Sequence, residues 1–141
     1  MPTSNPNTLN MPLKILVLVI ATSLPFKNAW AAELLFFHDA HCGACLSFEK
    51  DVGGIYHKTQ EAILAPLQRV EFYSEDGKIS DTTNMPGLTT PVAWIPSFVV
   101  MDNGREIGRI AGYQSAELFW MALNQILGQL PKKPETPDPA Q

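Results

Sequence analysis

Apolar and polar positions along the chain change period several times, and each change marks an element. Leu34-Leu35-Phe36-Phe37 is a continuous apolar run of strand length, the pattern of a strand buried on both faces. In residues 44–52 (ACLSFEKDV), Cys45, Phe48 and Val52 recur at helical spacing while Glu49, Lys50 and Asp51 occupy the other faces. Gly53-Gly54 is then expected to interrupt or end that helix. A second helical piece is predicted over 55–64, up to Pro66, and Val70-Glu71-Phe72-Tyr73 alternates as a strand does. Residues 74–90 are rich in Ser, Asp, Thr, Asn, Gly and Pro and read as loop with at most one short helix. SFVVMD (97–102) predicts a strand, Asn103-Gly104 a type I′ turn, and 105–110 the returning strand. Ser115 is placed to cap a final helix, AELFWMALNQIL, with Leu118, Met121, Ala122, Gln125 and Ile126 predicted on its inner face.

Strand, helix, strand, loop, antiparallel hairpin, helix is the order of an α/β fold. It predicts a three-layer sandwich: a central mixed sheet of about four strands, flanked by helices. One apolar run lies outside this scheme. ILVLVIA (15–21) continues through Thr22 and Ser23 to Leu24, with Lys14 before it, Pro25 and Lys27 ending it, and the small-x-small triplet Ala29-Trp30-Ala31 after it. A membrane span needs about 20 apolar residues, so the pattern is that of a secretory signal peptide cleaved near Ala31. Met11 would serve as a start as well as Met1. The expected organisation is a leader over 1–31, a folded domain over 32–130 and a flexible Pro-rich tail over 131–141. The expected location is periplasmic, with no stable membrane span after processing.

Composition narrows the function classes. With 141 residues, 45% hydrophobic and 17% charged, the chain is neither disordered, nor a coiled coil, nor a polytopic membrane protein. The formal charge is −4, and removing 1–31 deletes Lys14 and Lys27 and no acid, giving −6. Such a field does not favour nucleic acid, and no nucleic-acid partner is expected.

The two cysteines are the informative chemistry. Cys42 and Cys45 stand three apart where a strand hands over to a helix, nearly one helical turn, so their sulfurs can close a disulfide. At a helix start, unpaired N–H groups and the positive end of the dipole stabilise a thiolate, lowering a cysteine pKa from about 8.5 to ~3.5–7.5. Cys42 is therefore the expected attacking sulfur and Cys45 the more buried, resolving one. His41, beside Cys42, would favour the thiolate when protonated, or is a solvated loop residue. His38, at the strand end, reads as structural. Two rival readings use the same residues. His38, His41, Cys42 and Cys45 are chemically suitable for zinc or copper, but no distant pair completes a cage, so no metal is expected. A structural bridge on a non-catalytic redox-regulatory adaptor is the other, although closing so short a loop gains little entropy.

The Cys42–Cys45 helix start, Ile95-Pro96 ahead of the hairpin, the hairpin SFVVMDNGREIGRIAGY and the amphipathic last helix together resemble the thioredoxin superfamily over 34–130. That resemblance implies a cis proline at Pro96 facing the cysteines, and a backbone at Ile95 that pairs with a bound thiol partner. Trp94, two residues before the proline, would line the partner groove or pack in the core. ELLFFHDAHCGACLSFEKDVGGIYHKT, APLQRVEF, IPSFVVMDNGREIGRIAGY and Phe119-Trp120 look more narrowly like the SoxS-type thioredoxin-like proteins of bacterial sulfur-oxidation systems. That subgroup is exported, with the proposed role of keeping a partner's cysteine reduced. The implied function is an exported protein-disulfide oxidoreductase whose partners are a periplasmic protein with a reactive thiol or disulfide and an upstream dithiol donor. No organic cofactor is implied, since the cysteines carry the electrons. The chain departs from thioredoxin proper in having His41 before the first cysteine and Gly43-Ala44 between the pair. Where thioredoxin buries an aspartate six residues before the first cysteine stands Phe36, and the nearby acids Asp39 and Glu33 do not match by position.

Overall fold

A computed structural model describes residues 32–131. The expected leader and nearly all of the expected Pro-rich tail lie outside the described residues. In chain order the elements are β1 (Ala32–His38), α1 (Gly43–Phe48), a π-helical turn (Glu49–Gly53), α2 (Gly54–Tyr56), α3 (Gln60–Leu64), β2 (Leu67–Glu71), a 3-10 turn (Asp81–Asn84), β3 (Ser97–Asp102), β4 (Arg105–Ala111) and α4 (Ala116–Leu127). The strands form one mixed sheet in the order β2-β1-β3-β4, parallel between β1 and β2 and antiparallel elsewhere.

β1 is apolar throughout its middle because it is central and covered on both sides. Leu34 and Phe36 point into a cluster with Cys45, Phe48, Val52, Phe98, Val100, Phe119 and Leu123. Leu35 and Phe37 point the other way, onto Phe72, Val92, Val99 and Met101. The first face carries α1, α3 and α4; the second is closed by the 72–92 segment with its 3-10 turn. Between β3 and β4, Asn103 and Gly104 take φ of 49° and 75°. A type I′ turn demands positive φ at both central positions, and this pair meets it.

Four elements differ from the sequence expectation. The helical piece expected over 55–64 is two, α2 and α3, parted at 57–59 where the Thr59 side chain caps the second by accepting the Ala62 N–H. Gly53-Gly54 does not end the first helix. The chain winds through it as the π-helical turn and α2, with the Glu49 side chain folded across the bare Cα of Gly53 to reach Arg69. β2 starts at Leu67 and stops at Glu71, ahead of the expected 70–73, since its register is set by parallel pairing from Leu34–Leu67 to His38–Glu71. In α4 the buried stripe is Phe119, Leu123, Ile126 and Leu127, whereas Leu118, Met121 and Gln125 are exposed. The helix is rotated so that the Phe119 ring enters the aromatic cluster of Phe48 and Phe98, 5.0 and 4.9 Å away.

Candidate active site

The site is assembled where β1 runs out. The Cys42 N–H donates to the Asp39 carbonyl (3.1 Å), closing a turn directly after the strand. Cys42 then sits at the N-cap of α1 with extended backbone, and its Sγ accepts the Cys45 N–H at 3.2 Å. A sulfur in that place satisfies a donor that the first helical turn otherwise leaves free. Cys42 and Cys45 are joined as a disulfide, their Cα atoms 5.2 Å apart. Cys45 is only 2% exposed, while Cys42 is half-buried at the rim.

Beneath the pair lies an aromatic floor. Phe36, wholly buried, stacks on Phe98 at 4.9 Å and tilts against Phe48 at 4.6 Å. No carboxylate occupies the position of Phe36. Asp39 instead turns its Oδ1 to the His41 N–H (2.8 Å) and lies 3.3 Å from His41 Nδ1. Glu33 is at the far end of β1, on the face of Leu35 and Phe37. The His41 imidazole is 94% exposed. His38 is largely covered, 3.7 Å from Glu71 through Nε2 and stacked on Phe36 at 4.9 Å. Among the described residues, no group of three or more His, Cys, Asp and Glu side chains is arranged to hold a metal ion.

The antiparallel pairing of Phe37 with Ser97 brings Pro96 beside the end of β1 that carries the cysteine turn. The Ile95–Pro96 bond is cis. The Pro96 carbonyl accepts the Gly112 N–H (2.8 Å) and the Trp94 carbonyl accepts the Ser97 hydroxyl (2.8 Å). Among the described residues, neither backbone polar group of Ile95 makes a backbone–backbone hydrogen bond. Trp94 is 59% exposed, so it is not a core residue.

Two features had no clear sequence signal. Tyr113 packs its ring against Phe48 (5.6 Å) and donates its hydroxyl to Asp51 in the π-helical turn (3.0 Å). Burial and the Asp51 carboxylate push the phenol up to about 12. On β4, Glu106 takes the Arg109 guanidinium at 2.8 Å and accepts both the N–H and the hydroxyl of Thr89 (2.8 and 2.9 Å). Arg109 also donates to the Thr90 carbonyl at 2.7 Å. This clamp ties down the segment leading to Trp94. Despite desolvation, its hydrogen bonds hold the Glu106 carboxyl below its ordinary value. Both contacts join residues distant in sequence or in a loop, where periodicity carries no information.

A family model described as a thioredoxin-like domain matches residues 27–127. Among solved structures, the chain is similar to the periplasmic thioredoxin SoxS from Paracoccus pantotrophus in its reduced form. The identity is 31%, covering 70% of this chain and 97% of that one, with a TM-score of 0.59. A thioredoxin variant from Halobacterium salinarum (18% identity, 72% and 79% covered, TM-score 0.51) and a thioredoxin from Malassezia sympodialis (20%, 70% and 77%, 0.50) share the fold. No curated protein sequence matches the chain.

Proposed function

The chain belongs to the thioredoxin-like family and is a thiol–disulfide oxidoreductase, and from that premise we propose that Cys42 is the sulfur that meets the partner and Cys45 the one that releases it. The carrying observation is the asymmetry of the pair: the Cys42 sulfur sits at the helix start receiving an N–H, while Cys45 is sealed in the core. Backbone N–H groups and the dipole end favour negative charge at Cys42, so in the reduced protein it is the better nucleophile. It attacks a partner disulfide, forming a Cys42–partner bond as the other partner sulfur leaves. Cys45 then attacks Cys42, the partner leaves with both electrons, and the Cys42–Cys45 bridge remains for an upstream dithiol donor to reduce.

In this scheme the free backbone of Ile95 pairs with the chain flanking the partner's cysteine, Pro96 sets the end of that docking edge, and Trp94 lines it. His41 is turned to Asp39 and plays at most an electrostatic part. Export to the periplasm and a partner in sulfur oxidation are supported by the leader pattern over 15–31 and by the similarity to a periplasmic SoxS. Among the described residues, no helix is long and apolar enough to cross a membrane.

Covalent capture tests the assignment. Reduced Cys45→Ser protein, mixed with an oxidised peptide disulfide or with periplasmic extract, is expected to accumulate mixed disulfides that dithiothreitol releases. Cys42→Ser should capture none. Equal capture by the two variants would reverse or remove the assigned roles.

A further inference from the structure

For Cys45 to resolve the mixed disulfide its thiol must lose a proton, and its surroundings oppose this. Cys45 is 2% exposed in a cluster with Phe36 and Phe48, and an apolar setting raises a thiol's pKa. A proton acceptor on that face of the sheet would therefore speed the resolving step. The face presents Leu34, Phe36 and His38 from β1, Leu67, Arg69 and Glu71 from β2, and Phe98 and Val100 from β3. Arg69 is a cation already engaged by both oxygens of Glu49. Tyr113, against Phe48, has its hydroxyl on Asp51, and with its phenol pushed up to about 12 it keeps its proton at neutral pH. Asp39 is engaged by the exposed His41. Tyr56, in the same cluster, donates its hydroxyl to the Ala65 carbonyl at 2.8 Å, and what is left is His38. It shares the face of Phe36, stacks on that ring at 4.9 Å, is 17% exposed, and stands four residues before Cys42 where the strand opens into the cysteine turn. Glu71, its register partner on β2, lies 3.7 Å from Nε2 and is placed to steady the ring.

We propose that His38, backed by Glu71, is the proton acceptor that serves the resolving cysteine, in the place where this site has a phenylalanine floor and no carboxylate. The inference rests on the roles assigned above to Cys42 and Cys45. His38 takes the proton of the Cys45 thiol. The Cys45 thiolate attacks Cys42 Sγ, the Cys42–partner bond breaks as the Cys42–Cys45 bond forms, and the departing partner thiolate takes the proton that His38 holds. Two electrons pass from the cysteine pair to the partner, and His38 ends as it began.

Reduced protein reacting with dithionitrobenzoate separates the two steps. Thionitrobenzoate is released once when Cys42 attacks and again when Cys45 resolves, and this leaving group needs no acid. In His38→Gln the first release should stay within about twofold of wild type while the second slows by about a hundredfold or more, the lower end of the range for a lost general base. The pH inflection of the second phase should vanish, and added imidazole should restore part of the rate to His38→Ala. Glu71→Gln, which weakens the hold on the ring, should also slow the second phase. A second phase with unchanged rate and pH profile in His38→Gln overturns the proposal. A first release no faster than that of free cysteine would instead overturn the role of Cys42, so the two failures are told apart.

Discussion

At Trp94 an indole is left 59% exposed, two residues ahead of Pro96 and next to Ile95, whose backbone makes no backbone–backbone hydrogen bond among the described residues. Large amphipathic rings in such positions supply much of the energy of protein capture. Trp94→Ala should change folding stability by no more than about 0.5 kcal/mol, as surface substitutions do. It should also raise KM for a protein partner about tenfold (~1.4 kcal/mol) and leave the rate with a small disulfide unchanged. Urea unfolding and kinetics with both substrates check this, and equal losses on the two substrates would move the residue out of the docking edge. Residues differ here in how far the sequence alone reveals them. The place of Cys42 and Cys45 is legible because a strand, a turn and a helix start are all local patterns. Trp94 is not, because its exposure follows from the path of the loop that Glu106 and Arg109 hold, and no periodicity encodes that clamp.

Among the elements, the first helix shows how a tertiary contact overrides a local signal. A Gly-Gly pair weakens a helix, yet here the helix passes through it as a π-helical turn. A Cβ on Gly53 would collide with the Glu49 carboxylate that grips Arg69, whereas one on Gly54 would meet nothing closer than 3.6 Å. Gly54→Ala should therefore stabilise the protein by about 0.5–1 kcal/mol, the helix preference of alanine over glycine. Gly53→Ala should gain none of this, since it must displace Glu49 from Arg69. Urea midpoints of the two variants decide it, and equal gains would mean that the Glu49–Arg69 pair does not hold the turn. The same override explains the phase of α4. Its composition allows stripes through Leu118 and Met121 or through Phe119 and Leu123, and the aromatic cluster selects the second. The hairpin strands, whose turn chemistry is local, fall where the alternation predicts.

Across the whole molecule, the aromatic cluster, the π-helical turn and the start of α4 meet at Tyr113. Its ring touches Phe48 and Phe119 while its hydroxyl reaches Asp51. A phenol pushed up to about 12 by burial and a carboxylate ties folding stability to pH, and the sign follows from which state loses the proton first. Unfolded tyrosine ionises near 10.0, folded Tyr113 near 12. Its contribution is therefore complete below about pH 10 and is lost as pH rises toward 12. Tyr56, buried and hydrogen-bonded to the Ala65 carbonyl (2.8 Å), is also raised, chiefly by desolvation, and adds a loss of the same sign that extends to higher pH. Tyr113→Phe removes one hydrogen bond to an exposed carboxylate and should cost about 0.5–1.5 kcal/mol at neutral pH. It should also flatten the fall in stability between pH 10 and 12, leaving the part due to Tyr56. Urea unfolding of wild type and variant from about pH 8 upward measures both effects. A variant whose stability falls as steeply as wild type's would place the alkaline limb on Tyr56 alone and leave Tyr113 a packing residue.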